Sequence, residues 1–475
     1  MTHPRPVYQF ASPAFRRLGY AFMLGLLALA LLFYRERTWI LDIAFQTFLM
    51  ANEGSLQVMV NRFGSALVQL LPLGAIRAGA PLPVVSMLYS ASFPLLYLGF
   101  YALTVKVLRN DLLGWAIVLL YTLVVYDAFY WATSEQQQGL GAALAFFAYW
   151  LRFPVQEKPW MWGVSALGVV ALAYYHPLIF LSFYFLWAFF ALHFGRAIIG
   201  QAYLLLAGGM AAVLGAKSWL SANWYDAAKY SSFSDNLVAL FPNYLSLPAH
   251  SKFLQHAFTI WWGFPLLLGI VTIFYAYRKK WLKLLLVWVS CLGYLLLLHI
   301  GSPESEHRFY VEVNYMALAI FTGVPFLFDV APAIPEKRLL WGLGLLIALR
   351  LFLIGAHHEP FRERWQWIER QLQAQEGGSR FYLKEGQAPM DTLLMSWGMP
   401  YESLIISKVR MGEAKTLLVH PDLAPFENSL QDGHRFVTPF QTYPDSALSP
   451  RYFPLPPGPY RPLQATGQQP PAGHR

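Results

Sequence analysis

A single cysteine, Cys291, stands in 475 residues, inside an apolar run, which removes any disulfide framework and any cysteine-based metal site. Charge is scarce as well: Asp, Glu, Lys and Arg make up 13% of the chain, against about 25% in soluble domains, so most of the surface is built for an apolar solvent. The phosphate-cradling glycine loop, the dinucleotide glycine fingerprint and the metalloprotease helix motif are all missing, which leaves nucleotide hydrolysis and zinc proteolysis without support. No internal repeat is present. The net charge of +9 does not gather on one basic face; the Lys and Arg residues fall in short loops, which argues against a nucleic-acid partner and for membrane topology.

What is abundant is apolar and aromatic residues, 56% and 17% of the chain. Runs near the 20 residues needed to cross a bilayer recur from Leu18 to Leu353. Hydropathy predicts an all-α polytopic membrane protein of about eleven transmembrane helices, at 18–34, 82–105, 111–131, 138–152, 160–174, 177–195, 201–219, 256–277, 281–300, 309–328 and 339–356. The first follows Arg16 and Arg17 but lacks a small-residue cleavage pattern, so it reads as a retained helix rather than a signal peptide. With residues 1–17 cytoplasmic, the inside loops collect Lys106, Arg109, Arg152, Lys158, Arg196, Arg278, Lys279, Lys280, Lys283, Lys337 and Arg338. An odd helix count then puts the C-terminus outside the cytoplasm.

Two outer loops, 35–81 and 220–255, are long and too apolar for free linkers; both are expected to lie on the membrane surface, the first through interfacial helices at Ile40–Met50 and Ala66–Ile76. At His357 the composition turns mixed and charged. Residues 357–448 read as a small α/β-like extracytoplasmic segment with a helix at Arg362–Gln375 and strands near Phe381–Lys384 and Thr416–Val419. From 449 to 475 a Pro-, Gly- and Gln-rich tail is expected to be disordered.

Ionisable groups near the outer ends of helices are the first candidates for chemistry, because they are expensive at membrane depth. Asp42, alone among apolar neighbours, suits a general base; an interfacial-helix cap is an equally good reading. Asp127, nearly a turn inside an apolar run, needs a partner, a cation or a wet cavity, and Glu135 follows in the same loop; either suits a divalent cation such as Mg or Mn, or an acceptor. Their bland alternatives are a structural hydrogen-bonder and an ordinary loop residue. His176, at a tight turn before Pro177, suits a phosphate or acceptor contact, or a plain interfacial histidine. Arg308, in the dense polar loop 302–310, suits a lipid phosphate or a structural pair with Glu304 or Glu306. Arg350, in the last helix, suits a snorkelling or internally paired residue better than a second phosphate contact. The aromatics Trp219, Trp224, Tyr225, Tyr230 and Phe233 suit an interfacial belt better than a sugar platform.

This arrangement resembles the GT-C superfamily of membrane glycosyltransferases, in particular the bacterial relatives of protein O-mannosyltransferases and of the lipid A aminoarabinose transferase. The likeness lies in a cytoplasmic N-terminus, an acid in a long first outer loop (Asp42), a second acid between helices three and four (Asp127 or Glu135), and a late outer loop Glu306-His307-Arg308-Phe309-Tyr310. It covers 18–356. The adjacent acidic pair of the mannosyltransferases is absent, since Leu41 and Ile43 flank Asp42. The resemblance implies a GT-C-like fold in the inner (cytoplasmic) membrane and inverting transfer of a sugar from a polyprenyl-phosphate donor to a protein, lipid or glycan acceptor. It also implies Asp42 as base, Asp127, Glu135 and His176 as cation or acceptor contacts, and Arg308 with His307 and Tyr310 on the donor phosphate. The rival readings are a secondary transporter or lipid flippase, which calls for broken helices and ionisable residues near the midplane, and a non-catalytic component of an envelope assembly.

Overall fold

The computed structural model describes residues 8–153, 158–305 and 307–464; Glu306 and the far end of the tail lie outside them. Helix accounts for 71% of the structure, with a few small sheets. Seven described helices are long and apolar enough to cross a membrane: Ala14–Leu32, Leu82–Val107, Ile179–Ala197, Gln201–Leu220, Trp281–Gly301, Arg308–Ala333 and Glu336–Gln373. A bent pair, Pro248–Thr259 and Gly263–Tyr277, turns by 90° and brings the number to eight if it forms one span.

The difference from eleven lies mainly between 111 and 174. The helix expected at 111–131 stops at Leu120, so ten residues rise only about 15 Å. Pro159–Ala173 has 15 residues, about 22 Å, short of a hydrocarbon core of about 30 Å. Glu135–Arg152 opens with Glu135, Gln136, Gln137 and Gln138, all buried, so its first turn is polar yet internal.

The chain forms two compact units. The first comprises Met1–Ala28, Val58–Ser65 and Pro94–Gly355; the second comprises Leu29–Gln57, Ala66–Phe93 and Ala356–Arg475. Sequence composition puts a border at His357, but the residues after it gather two earlier segments to themselves. The reason is visible in bonds inside this unit: the Ser449 amide donates to Asn52 (2.7 Å), and the Tyr452 hydroxyl reaches the carbonyls of Ile76 (3.2 Å) and Ala80 (3.0 Å).

Within the second unit, strands β1 (Arg380–Lys384) and β2 (Thr416–His420) pair in parallel, Arg380 opposite Thr416, across the helix Met399–Met411. Strands β3 (Arg435–Val437) and β4 (Thr442–Pro444) form an antiparallel pair, and β5 (Arg461–Pro462) adds in parallel to β1. Leu418, Leu430, Val437 and Tyr460 make a core beneath. The run from Ser449 to Gln464, expected to be disordered, is packed instead: Tyr452, Phe453, Leu455, Tyr460 and Leu463 are buried. Its prolines hold the chain extended, which suits an edge strand, and the aromatics between them provide the apolar anchor that composition alone hides.

The expected interfacial helices occur as Leu41–Glu53 and Ser65–Arg77. The second exposes Leu67, Leu70 and Leu71. The first does not behave as a surface helix, because Phe48 sits among Tyr401, Phe436, Tyr443 and Phe453 with ring centroids 5.0–5.5 Å away.

Candidate functional site

In the first unit the site begins where the helix ending at Leu120 breaks. Carbonyls freed at such a break cost several kcal/mol each in an apolar medium unless they find donors. Arg350, wholly buried, supplies them: Nε donates to the Thr122 carbonyl (3.0 Å), Nη2 to Val125 (2.7 Å), and Nη1 to Ile260 at the bend between Pro248–Thr259 and Gly263–Tyr277. Arg350 therefore does not snorkel. It closes both breaks. On the amide side the Glu312 carboxylate accepts from the N–H groups of Ala128 (2.8 Å) and Tyr126.

This stitching presents Asp127 in a single 3-10 turn, Asp127–Phe129, only 6% exposed. Its carboxylate takes both Nε (2.7 Å) and Nη2 (3.0 Å) of Arg308, the first residue of the helix Arg308–Tyr315. The two-point guanidinium–carboxylate contact is the strong form of such pairs. Asp127 is thus a carboxylate partner of Arg308, and Glu306 lies outside the described residues. The Arg308 guanidinium also rests 5.4 Å from the Tyr126 ring centre, and His307 stacks on Phe309 at 5.6 Å.

A second cluster continues from Tyr310. Its hydroxyl meets that of Tyr225 at 3.1 Å, and the Lys229 ammonium lies 5.5 Å and 5.3 Å from the two rings. Arg62 stands 5.4 Å from the Tyr225 ring and bridges two carboxylates, Asp226 at 2.9 Å and Glu135 at 3.3 Å. His176 borders this cluster. Its Nδ1 accepts the Leu178 N–H (3.2 Å), and its pKa lies well below the usual value, first through desolvation and then through the nearby charges of Arg62 and Lys217. Asp127, Glu135, His176, His307, Arg308 and Tyr310 therefore all belong to one unit, and the Tyr225–Tyr310 contact links the two charged clusters.

Asp42 belongs to the other unit, on the first turn of the helix Leu41–Glu53. It is not the cap; Ile40 occupies that position without a side-chain bond. The helix start is fixed from the C-terminal segment. Glu402, wholly buried, accepts the Leu41 N–H (2.8 Å) and is held by Arg364 through Nε and Nη2, both at 2.8 Å. Leu41 takes φ of 37°, in a region that non-glycine residues rarely adopt, so the bond holds a strained entry. Gly398 is required beside it: a Cβ there would stand 2.8 Å from the Leu41 Cα. Asp42 remains partly exposed on an otherwise mostly buried helix.

Arg62, Asp226, Lys229, Glu402 and Arg364 were not legible as site-forming residues, since each gains its role from a partner far along the chain. One signal was available: Asn223 caps the helix Trp224–Ala239 by accepting the Asp226 N–H (2.9 Å), which makes a defined helix of an aromatic loop. For a divalent cation, no group of three or more His, Cys, Asp or Glu side chains suited to a metal occurs among the described residues. Any cation taken up by Asp127 or Glu135 has to compete with Arg308 or Arg62.

No family model, curated protein or solved structure matches this chain.

Proposed function

We propose that the chain is a GT-C-type membrane glycosyltransferase that moves a sugar, with inversion, from a polyprenyl-phosphate donor to a protein, lipid or glycan acceptor on the extracytoplasmic side of the inner membrane. The observation that carries this reading is the position of Asp42, a partly exposed residue on the first turn of a helix otherwise mostly buried and anchored at its first residue. A general base has to be held still and yet reach its substrate. Asp42 takes the proton of the acceptor hydroxyl; the acceptor oxygen bonds to the anomeric carbon, and the carbon–oxygen bond to phosphate breaks with its electron pair leaving on the phosphate. Phosphate is a good leaving group, so positioning and charge stabilisation are the main demands on the protein. In the first unit, taken by itself, Asp127, Glu135 and Arg308 are the residues to which the resemblance assigns cation, acceptor or donor contacts, a Mg or Mn ion at Asp127 or Glu135 included.

The test is turnover of a polyprenyl-phosphate sugar by purified protein in lipid nanodiscs, with release of polyprenyl phosphate as the readout. Asp42→Asn keeps the shape and loses the base, so the rate is expected to fall by roughly 10²- to 10⁴-fold with donor binding retained. Wild-type turnover by this variant removes Asp42 from the mechanism, and indifference of Asp127→Asn and Glu135→Gln as well counts against glycosyl transfer.

One observation favours a transporter: the helix pair broken by a 90° bend, together with the early end of the apolar helix at Leu120. Transporters use the polar groups freed at such breaks to hold their cargo. Here Arg350 and Glu312 occupy several of those groups, which favours breaks that serve to present Asp127. Substrate uptake into proteoliposomes without bond cleavage would reverse this preference.

A further inference from the structure

The second unit contains a guanidinium with an unusual set of neighbours. Arg35 follows the apolar helix Ala14–Leu32 by three residues, and Leu32 at its end is 68% exposed, as a lipid-facing side chain would be. With Ala14–Leu32 taken as a membrane span, which its length and apolar composition allow, a cation three residues beyond it falls at the depth of lipid headgroups. Its guanidinium carbon lies 5.3 Å from the ring centre of Tyr34, 5.6 Å from Trp39 and 6.0 Å from Trp365, and Nε donates to the Tyr34 hydroxyl at 3.1 Å. The cage is itself fixed, since Trp39 and Trp365 meet edge to face at 5.5 Å and the Trp39 indole N–H donates to Ser86 (3.2 Å).

The other arginines of this unit near the cage residues are already committed. Arg362 pairs with Glu36 at 3.1 Å, Arg364 with Glu402 at 2.8 Å and Arg410 with Glu369 at 2.7 Å, while Arg37 bonds Ser90 at 2.8 Å. Among the described residues Arg35 has no carboxylate partner. The buried indole N–H of Trp365 likewise has no acceptor among them. A ring-stacked guanidinium is oriented without being neutralised, and a planar, permanently charged donor fork matches phosphate oxygens. Arg308, by contrast, spends two of its nitrogens on Asp127.

We propose that Arg35, held by Tyr34, Trp39 and Trp365, is a binding residue for a phosphate group carried on a lipid. Its place in the same unit as Asp42 lets it serve the donor in the transfer reaction proposed above, and in that respect the inference rests on that reading. The binding itself does not. A phosphate on a bilayer lipid and a phosphate on a polyprenyl carrier offer the same chemistry, so the two sources have to be separated by experiment.

The experiment measures binding of polyprenyl phosphate, of the matching uncharged polyprenol and of phosphatidylglycerol to the full-length protein in neutral-lipid nanodiscs, for wild type, Arg35→Gln, Arg35→Lys and Trp365→Phe. Wild type is expected to prefer at least one phosphate lipid over polyprenol. Arg35→Gln should lose roughly 10- to 100-fold of that preference, the range for hydrogen bonds to charged groups. Arg35→Lys keeps the charge without the planar stack and should fall between the two. Trp365→Phe, which removes the indole N–H and leaves Arg35 in place, separates the cage from the cation. Dependence on Arg35 for polyprenyl phosphate alone names the carrier as ligand; equal dependence for phosphatidylglycerol names the bilayer lipid; both support the anchor. Arg35→Gln binding both phosphate lipids as wild type does overturns it. Arg35-dependent binding without sugar transfer keeps the anchor and rejects the glycosyltransferase reading.

Discussion

Replacing Glu402 with Gln removes one negative charge from a site where both ion-pair partners are buried, Arg364 at 1% and Glu402 at 0% side-chain exposure. Gln keeps a carbonyl oxygen for the Leu41 N–H, so the substitution isolates the loss of the pair from the loss of that bond. Arg364 then keeps only neutral acceptors, the retained side-chain oxygen and the Met395 carbonyl (2.9 Å), and loses its anionic partner. Breaking a buried pair on one side costs about 3–5 kcal/mol, because the surviving charge stays desolvated. At about 2–4 °C per kcal/mol, the apparent melting midpoint of the unit should fall by about 6–20 °C. Removing the arginine as well, in Arg364→Met with Glu402→Gln, relieves the stranded charge and should recover at least about 2 kcal/mol of that loss. Thermal unfolding of the detergent-solubilised chain, followed by proteolytic cutting within 41–53, reads both quantities. A Glu402→Gln variant that melts within about 2 °C of wild type, or a double variant no better than the single, would refute the argument that this pair holds the entry of the Asp42 helix.

Further expectations concern other parts of the molecule. Gly398→Ala should destabilise the protein more than a surface Gly→Ala change, since its Cβ meets the Leu41 Cα at 2.8 Å; unfolding midpoints compare the two. Arg350→Leu strips the donors from the Thr122 and Val125 carbonyls and should cost at least about 3 kcal/mol, checked by denaturant midpoints in detergent. His176 is held neutral when folded, so below its ordinary value of about 6.5 the unfolded chain binds a proton that the folded one refuses. Stability is lost as pH falls through that range, and His176→Gln should flatten the slope between about pH 6.5 and 5. Reporter fusions at Lys280 and Lys337 should read cytoplasmic and those at Glu135, Ser305 and Gly377 extracytoplasmic; an external Lys280 would sink the topology.

Long uninterrupted runs such as 281–300 were legible because apolar length alone decides them: the helix is Trp281–Gly301. The break after Leu120 was not, because Tyr121, Thr122, Leu123, Val124 and Val125 read as a continued span; what interrupts it is tertiary, the buried Arg350 and Glu312. Asp127 was marked as a carboxylate in need of a partner, and Arg308 as a cation in need of an anion, yet nothing in spacing joins residues 181 positions apart. Arg62 hid better still, in the long loop 35–81, with its carboxylate partners 73 and 164 positions away. The tail misled for a different reason. Proline-rich composition is shared by disordered chain and by extended edge segments, and only burial of Phe453 and Tyr460 separates them.

The bond between Leu41 and Glu402 joins residues 361 positions apart in the chain. During synthesis at about 5–20 residues per second, that is a delay of about 20–70 s between the appearance of the two ends. The strained start of the helix carrying Asp42 therefore cannot be completed while the early spans are being inserted. Throughout that interval its unpaired face is open to proteases and holding chaperones. A ribosome stalled before Gly398 leaves a product that is threaded through the membrane and still unfinished at the residue on which the proposed chemistry depends.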